Sequence, residues 1–315
     1  MSACNPGGSS TATPEGQSES LPTAVLHITR IYTSEATSEP AAMPAATAMP
    51  TKAITKDKCE LFLITAQNVG DKTNTIQALI DYINTDGKAI SKLSQHFFVE
   101  ANVRKYLERL MDEAGLQNLN TNHLAYIYAT THLESGWGDF EELYDGEPTE
   151  QAKKEHFETL YGEGTIAGGY LGNTETLDGY TFLGRGFIHL TGRKNYQAIS
   201  VELGKPELME ADGFILAACS HTGCAKKYDY DFITKIAVIG MMKGTFTDIS
   251  LLSPDLNGVN DGSFNFIEAR SIIGWSGDKS DIKAADLARG YAKILSKQCV
   301  KGEVSEGLTC VPCPY

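Results

Sequence analysis

Glu134 closes one of the most apolar stretches of the chain, LAYIYATTHLES, whose other faces carry Leu124, Ile127, Tyr128, Ala129 and Leu133. A carboxyl placed there stands beside apolar walls and near the negative end of a helix dipole, and both disfavour its charged form. A group that keeps its proton near neutral pH can deliver it to a leaving oxygen, which is the work of a general acid. The plainer alternative is a solvated glutamate at a helix end. A second carboxylate is available nearby in WGDFEELYDGE, where Asp139, Glu141, Glu142, Asp145 and Glu147 are candidates. Hydrolysis with inversion needs such a group across a sugar from the acid, roughly 6.5–9.5 Å away, so that a water fits between them. An acidic loop on its own carries little weight.

These residues need elements to hold them. Ile76, Leu79, Ile80 and Ile83 recur at i, i+3, i+4 and i+7, and Val103, Leu107, Leu110, Met111 and Ala114 repeat the pattern, so two amphipathic helices facing a core are expected. A third helix starts after Asn120, Thr121 and Asn122, each a good N-cap, and stops at Gly136 and Gly138. It is apolar nearly all round and is therefore buried. Between Gly162 and Gly192 the composition shifts to Gly, Asn, Thr and aromatics, which suits short strands and tight turns. Helical texture returns in NYQAISVEL, FNFIEARSII and KAADLARGYAKILSK.

The whole chain bounds the reading further. With 315 residues and 42% hydrophobic composition it can fill a real core. A net charge of −13 excludes a binder of nucleic acid, which needs clustered Lys and Arg. No apolar run approaches a membrane span. Residues 1–56 are dominated by Ser, Thr, Pro and Ala and read as a disordered arm. The first thirty residues lack the basic start and apolar block of a secretory signal, so export would use another route or a leader already removed. Seven cysteines, Cys4, Cys59, Cys219, Cys224, Cys299, Cys310 and Cys313, leave at least one unpaired. Cys310 and Cys313, in the tail 299–315, lack the second ligand pair that zinc needs, so a disulfide or inert thiols are expected.

Three segments together resemble family 19 glycoside hydrolases, especially their short phage-endolysin and bacterial members. They are THLESG (Thr131 to Gly136), YLGN (Tyr170 to Asn173) and DGYTFLGRGFIHLTGRKNY (Asp178 to Tyr196), with EARSIIG (Glu268 to Gly274) as a fainter fourth. The resemblance spans Leu116 to Tyr196, and its most specific part is the Gly-rich turn GRGFIHLTGRKNY downstream of HLES. The chain departs from the family pattern at Leu133, at His189, which replaces a Gln, and at Gly274.

The resemblance implies a mainly α (α+β) catalytic domain over residues 57–298. It would be a lysozyme-like two-lobed helical domain with a small β region at the cleft. It makes Glu134 the general acid and Glu142 the base that activates water, with Glu141 the fallback. Thr191 would help hold that water, and Asn195 would bond the sugar's acetamido group. His189 faces substrate, and Trp137, Tyr144, Tyr170 and Tyr180 offer stacking surfaces for sugar rings. Arg185 braces the loop, and Gly184 and Gly186 serve the backbone. The expected reaction is inverting cleavage of β-1,4 bonds in peptidoglycan, or in chitin, by a monomer with no metal or cofactor, secreted or delivered to a cell wall. A lytic transglycosylase and a non-catalytic glycan binder stay as alternatives.

Overall fold

The computed structural model describes residues 72–91, 99–138, 140–142, 149–210, 214, 229–257, 264–274 and 279–297. The arm, the tail, all seven cysteines, Asp139, Tyr144, Asp145 and Glu147 lie outside these residues. Helix α1 (Lys72–Tyr82) runs through a π-helical turn, Ile83–Gly87, into α2 (Lys88–Ser91). Ile76, Leu79, Ile80 and Ile83 of this run are all buried. Helix α3 (Glu100–Leu116) buries Val103, Leu107, Leu110, Met111 and Ala114. Both helices thus bury the faces that their apolar spacing marks.

Helix α4 (Thr121–Ser135) carries Glu134. It begins where the side chain of Asn120 accepts the N–H of His123 at 2.9 Å, and it ends at Gly136, whose φ of 53° is left-handed and costs a glycine little. Helix α5 (Glu150–Tyr161) and the short helices α6 (Ile166–Leu171) and α7 (Asp178–Thr181) follow. Helix α8 (Arg193–Leu203) leads into a 3₁₀ turn, Pro206–Met209. Helix α9 (Tyr230–Lys243), a 3₁₀ turn over Glu268–Ile272 and α10 (Lys279–Lys297) complete the described chain. The protein is mainly α.

The β region expected between Gly162 and Gly192 does not form. Among the described residues β structure is limited to isolated antiparallel bridges: Glu141 with Arg185, Arg185 with Leu190, and Asn257 with Phe264. The segment instead makes caps and single helical turns. The hydroxyl of Thr165 accepts the N–H of Gly168 at 2.8 Å. Gly168 itself packs so closely that an added Cβ would lie 2.2 Å from the carbonyl oxygen of Gly162. The glycines here permit close backbone contact, which composition alone does not separate from strand and turn. In the same way FNFIEARSII holds one 3₁₀ turn where a longer helix was expected.

Two apolar clusters build the interior. The larger joins α1, α3, α4, α9 and α10, and the smaller consists of Phe157, Tyr161, Ala167 and Leu183. Helix α10 lies along α4 and reaches α1. Gly290 makes that approach possible, because a Cβ there would sit 2.1 Å from the hydroxyl of Tyr82.

His132 is sealed in the larger cluster, one turn before the end of α4, with Nδ1 2.8 Å from the hydroxyl of Tyr291. Burial pushes its pKa down from 6.5 to about 4. Between those values the unfolded chain binds a proton that the folded chain excludes, so stability is present above pH 6.5 and falls as the pH drops toward 4. The expected loss from this group is about 3 kcal/mol. Urea unfolding of the wild type and of His132→Asn at pH 7 and pH 4 measures it. An equal acid sensitivity in the two proteins would exclude His132 as the source.

Candidate functional site

Glu134 lies at the C-terminal turn of α4 with its side chain 21% exposed, and its immediate neighbour is a cation. Nη1 of Arg270 donates to Oε1 of Glu134 at 2.5 Å, and the Arg270 side chain is itself only 14% exposed. Arg270 comes from the 3₁₀ turn Glu268–Ile272, 136 residues further along the chain. Burial opposes its charge most strongly, but Glu134, Tyr126 and Asp281 together outweigh it, and the guanidinium pKa is raised. Tyr126, Thr130 and Glu134 follow each other at i, i+4 and i+8 along α4, so a polar stripe runs down an otherwise apolar helix. Asp281, buried in the first turn of α10, reinforces the charge on Arg270 from another element. The sequence reading placed apolar walls around Glu134; the structure adds a guanidinium to them.

The second carboxylate is set by α5 and the turn after α7. The hydroxyl of Tyr161 donates to Oε1 of Glu142 at 2.5 Å, and the N–H of Gly184 donates to Oε2 at 3.3 Å. The backbone N–H of Glu142 in turn donates to the carbonyl of Gly184 at 2.9 Å. A Cβ on Gly184 would lie 3.1 Å from Oε2 of Glu142, 3.1 Å from Oγ1 of Thr191 and 3.0 Å from Cβ of His189. Glu142, Thr191 and His189 therefore meet around one glycine, where any larger residue would intrude. Burial and then the charge of Glu142 push the Tyr161 phenol up, so it stays a donor.

Glu141, next along the chain, is committed elsewhere. Lys153 of α5 pairs with its Oε1, and Nε of Arg185 lies 3.3 Å from its Oε2. Burial opposes its charge, yet Lys153 and Arg185 together hold its carboxyl below the ordinary range. Arg185 also donates from Nη1 to the carbonyl of Thr181 at 2.8 Å and to the hydroxyl of Tyr196 at 3.1 Å. It braces the turn from inside.

Other expected site residues are spread differently. Thr191 donates to the carbonyl of His189 at 2.6 Å, and Nδ2 of Asn195 donates to the carbonyl of Thr191 at 2.9 Å. Asn195 thus commits one amide hydrogen to the backbone just before α8. His189 is half-buried with φ at 49°, a left-handed conformation uncommon for residues other than glycine. Tyr170, on α6, is exposed, and Tyr180 is half-buried. Trp137 is not a stacking surface. It is 1% exposed and packs near Tyr128 and His132 in the larger cluster, with no open face for a sugar.

The quoted segments are nonetheless tied together. Asn173 of YLGN donates from Nδ2 to the carbonyl of Tyr161 at 2.7 Å and accepts the N–H of Arg193 at 2.8 Å. Arg193 then grips Asp178 through Nε at 2.7 Å. The end of α5 and the starts of α7 and α8 are thereby fixed around the Gly184 turn.

No protein-family model, curated protein or solved structure matches the chain.

A surface depression of about 580 Å³ lies elsewhere, between Glu113, Leu116, Glu202, Lys205, Asp231 and Lys235, and includes none of the residues named for catalysis. Among the described residues no cluster of His, Cys, Asp and Glu could hold a metal ion. No helix among them is long and apolar enough to cross a membrane. Sequence reasoning missed Arg270, Asp281 and Tyr161. Arg270 lies inside the quoted EARSIIG, where a basic residue among apolar ones was a usable signal; Tyr161 and Asp281 carried none.

Proposed function

We propose that this chain is an endo-acting glycoside hydrolase that cleaves β-1,4 bonds in an N-acetylated cell-wall polysaccharide. Peptidoglycan is the substrate we favour and chitin the alternative, with the protein secreted or otherwise delivered to a cell wall. One observation carries the reading: Glu142 is divided between Tyr161 and Gly184 beside the hydroxyl of Thr191. A carboxylate held at both oxygens beside a small hydroxyl is equipped to orient a water, since the hydroxyl, its hydrogen committed to the carbonyl of His189, still offers that water an acceptor. In the reaction the water oxygen bonds to the anomeric carbon and its proton passes to Glu142. The glycosidic bond breaks on the opposite face, and Glu134 protonates the leaving oxygen.

Arg270 holds Oε1 of Glu134 at the end of α4, and Asp281 adds a second, weaker negative charge near the guanidinium. The two-lobed arrangement belongs to the same proposal, with the smaller apolar cluster carrying Tyr161 and the larger one carrying α4.

The deciding experiment follows the anomeric configuration of the first product by proton NMR, on purified peptidoglycan and on chitin oligomers. Inversion gives the α-anomer from a β-linkage before mutarotation. A β-anomer, or a water-free anhydro terminus in the product mass, would defeat the two-carboxylate mechanism. The Arg270–Glu134 ion pair favours a second reading, a glycan-binding relative without turnover, because a carboxylate locked as an ion gives no proton. Binding to both polymers with hydrolysis of neither would establish it.

A further inference from the structure

We infer that Tyr161 is the positioning residue that leaves Glu142 only one oxygen, Oε2, with which to accept a proton. The inference rests on the reading of Glu142 as the base. Helix α5 sorts the two adjacent acids that the sequence left as alternatives. Lys153 in its first turn pairs with Glu141, and Tyr161 in its last turn binds Glu142. The Tyr161 hydroxyl occupies Oε1 at 2.5 Å, whereas among the described residues Oε2 meets only a longer 3.3 Å contact from the N–H of Gly184. Oε2 is also the oxygen beside Gly184, where a Cβ would be equally close to it and to Oγ1 of Thr191. A water between Oε2 and Thr191 therefore has its acceptor and its orienting hydroxyl on one side. Its proton goes to Oε2 and its oxygen to the anomeric carbon, while Tyr161 neither gains nor loses a proton.

Tyr161 is built to hold this place. Its ring is buried and stacks on Phe157 at 6.2 Å with 20° between planes. Its carbonyl accepts from Asn173 at 2.7 Å, and a Cβ on Gly168 would fall 2.5 Å from that same oxygen. The phenol cannot swing away without breaking the packing of the smaller cluster.

Tyr161→Phe keeps the ring and removes the donor. The hydrogen bond pins Oε1 in place, so the variant should free that oxygen and change the environment of the Glu142 carboxyl. Carbon-13 labelling of the glutamate carboxyls, with the Glu142 signal assigned through Glu142→Gln, reads this directly in full-length protein. We expect a displaced Glu142 carboxyl resonance at pH 7 in Tyr161→Phe, and a kcat about tenfold lower at constant KM. Incorporation of 3-fluorotyrosine at position 161 preserves the shape and strengthens the donor, so the resonance should move the opposite way; this arm serves if the Phe variant does not fold. A Glu142 resonance unmoved in a folded variant overturns the inference. The measurement needs no substrate, so a wild-type protein inert on both polymers ends the hydrolase reading without deciding the Tyr161–Glu142 link, and the NMR result then decides that link alone.

Discussion

Glu134→Gln lowers hydrolysis of the polymer by about 10²–10⁴-fold while the protein stays folded and still binds it. The range is what a positioned proton donor contributes to a transition state. An amide has nearly the shape of the acid and can still accept the hydrogen bond from Nη1 of Arg270, but it has no acidic proton for a leaving alkoxide. Reducing-end release on peptidoglycan and on chitin, alongside a pull-down on the insoluble polymer, separates turnover from binding. Full turnover in this variant would remove Glu134 from the chemistry. With it would go the reason for expecting a second carboxylate at all.

Arg270→Ala should be the most destabilising of the single changes considered. Glu134 and Arg270 are 21% and 14% exposed, so removing the guanidinium leaves a mostly buried carboxylate without its partner, a loss of roughly 3–5 kcal/mol for such pairs. For a chain of this size that corresponds to a Tm lower by about 10 °C. The double variant Arg270→Ala with Glu134→Gln should regain part of the loss, because neither charge is then stranded. Thermal unfolding of the two single variants and the double variant completes the cycle. Strict additivity would mean that the 2.5 Å contact carries no coupling and that Arg270 does not hold the acid.

What could be read from the residues in advance depended on how far apart the interacting groups lie. The helix carrying Glu134 was legible to within a turn, because its start and stop are local events: of three possible caps Asn120 serves, and of two glycines Gly136 takes the left-handed conformation. The buried faces of α1 and α3 were legible from spacing alone. The segment after Gly162 was misjudged, because Gly168 and Gly172 serve close approach and a left-handed helix stop, while the same composition also suits hairpins. The partner of Arg270 was out of reach for a different reason. A basic residue among apolar ones marks the position, but its pairing with Glu134 is a tertiary event, and nothing in EARSIIG states which acid it meets. Trp137 was misassigned because an aromatic beside a glycine stop looks the same on paper whether it faces solvent or interior; here it faces inward.

The glycine at position 290 admits the Tyr82 ring against α10, so the earliest and latest described helices are joined over α4. A ribosome adds residues in order, and the face of α4 that α10 covers therefore emerges bare, more than 150 residues before Leu295 is made. At typical synthesis speeds that is a wait of roughly 10–30 s. Throughout it, the surface that will enclose His132 is open to chaperones and to neighbouring nascent chains. Closure of that surface waits on the last described helix, although the chemistry proposed for this protein belongs to the middle of the chain.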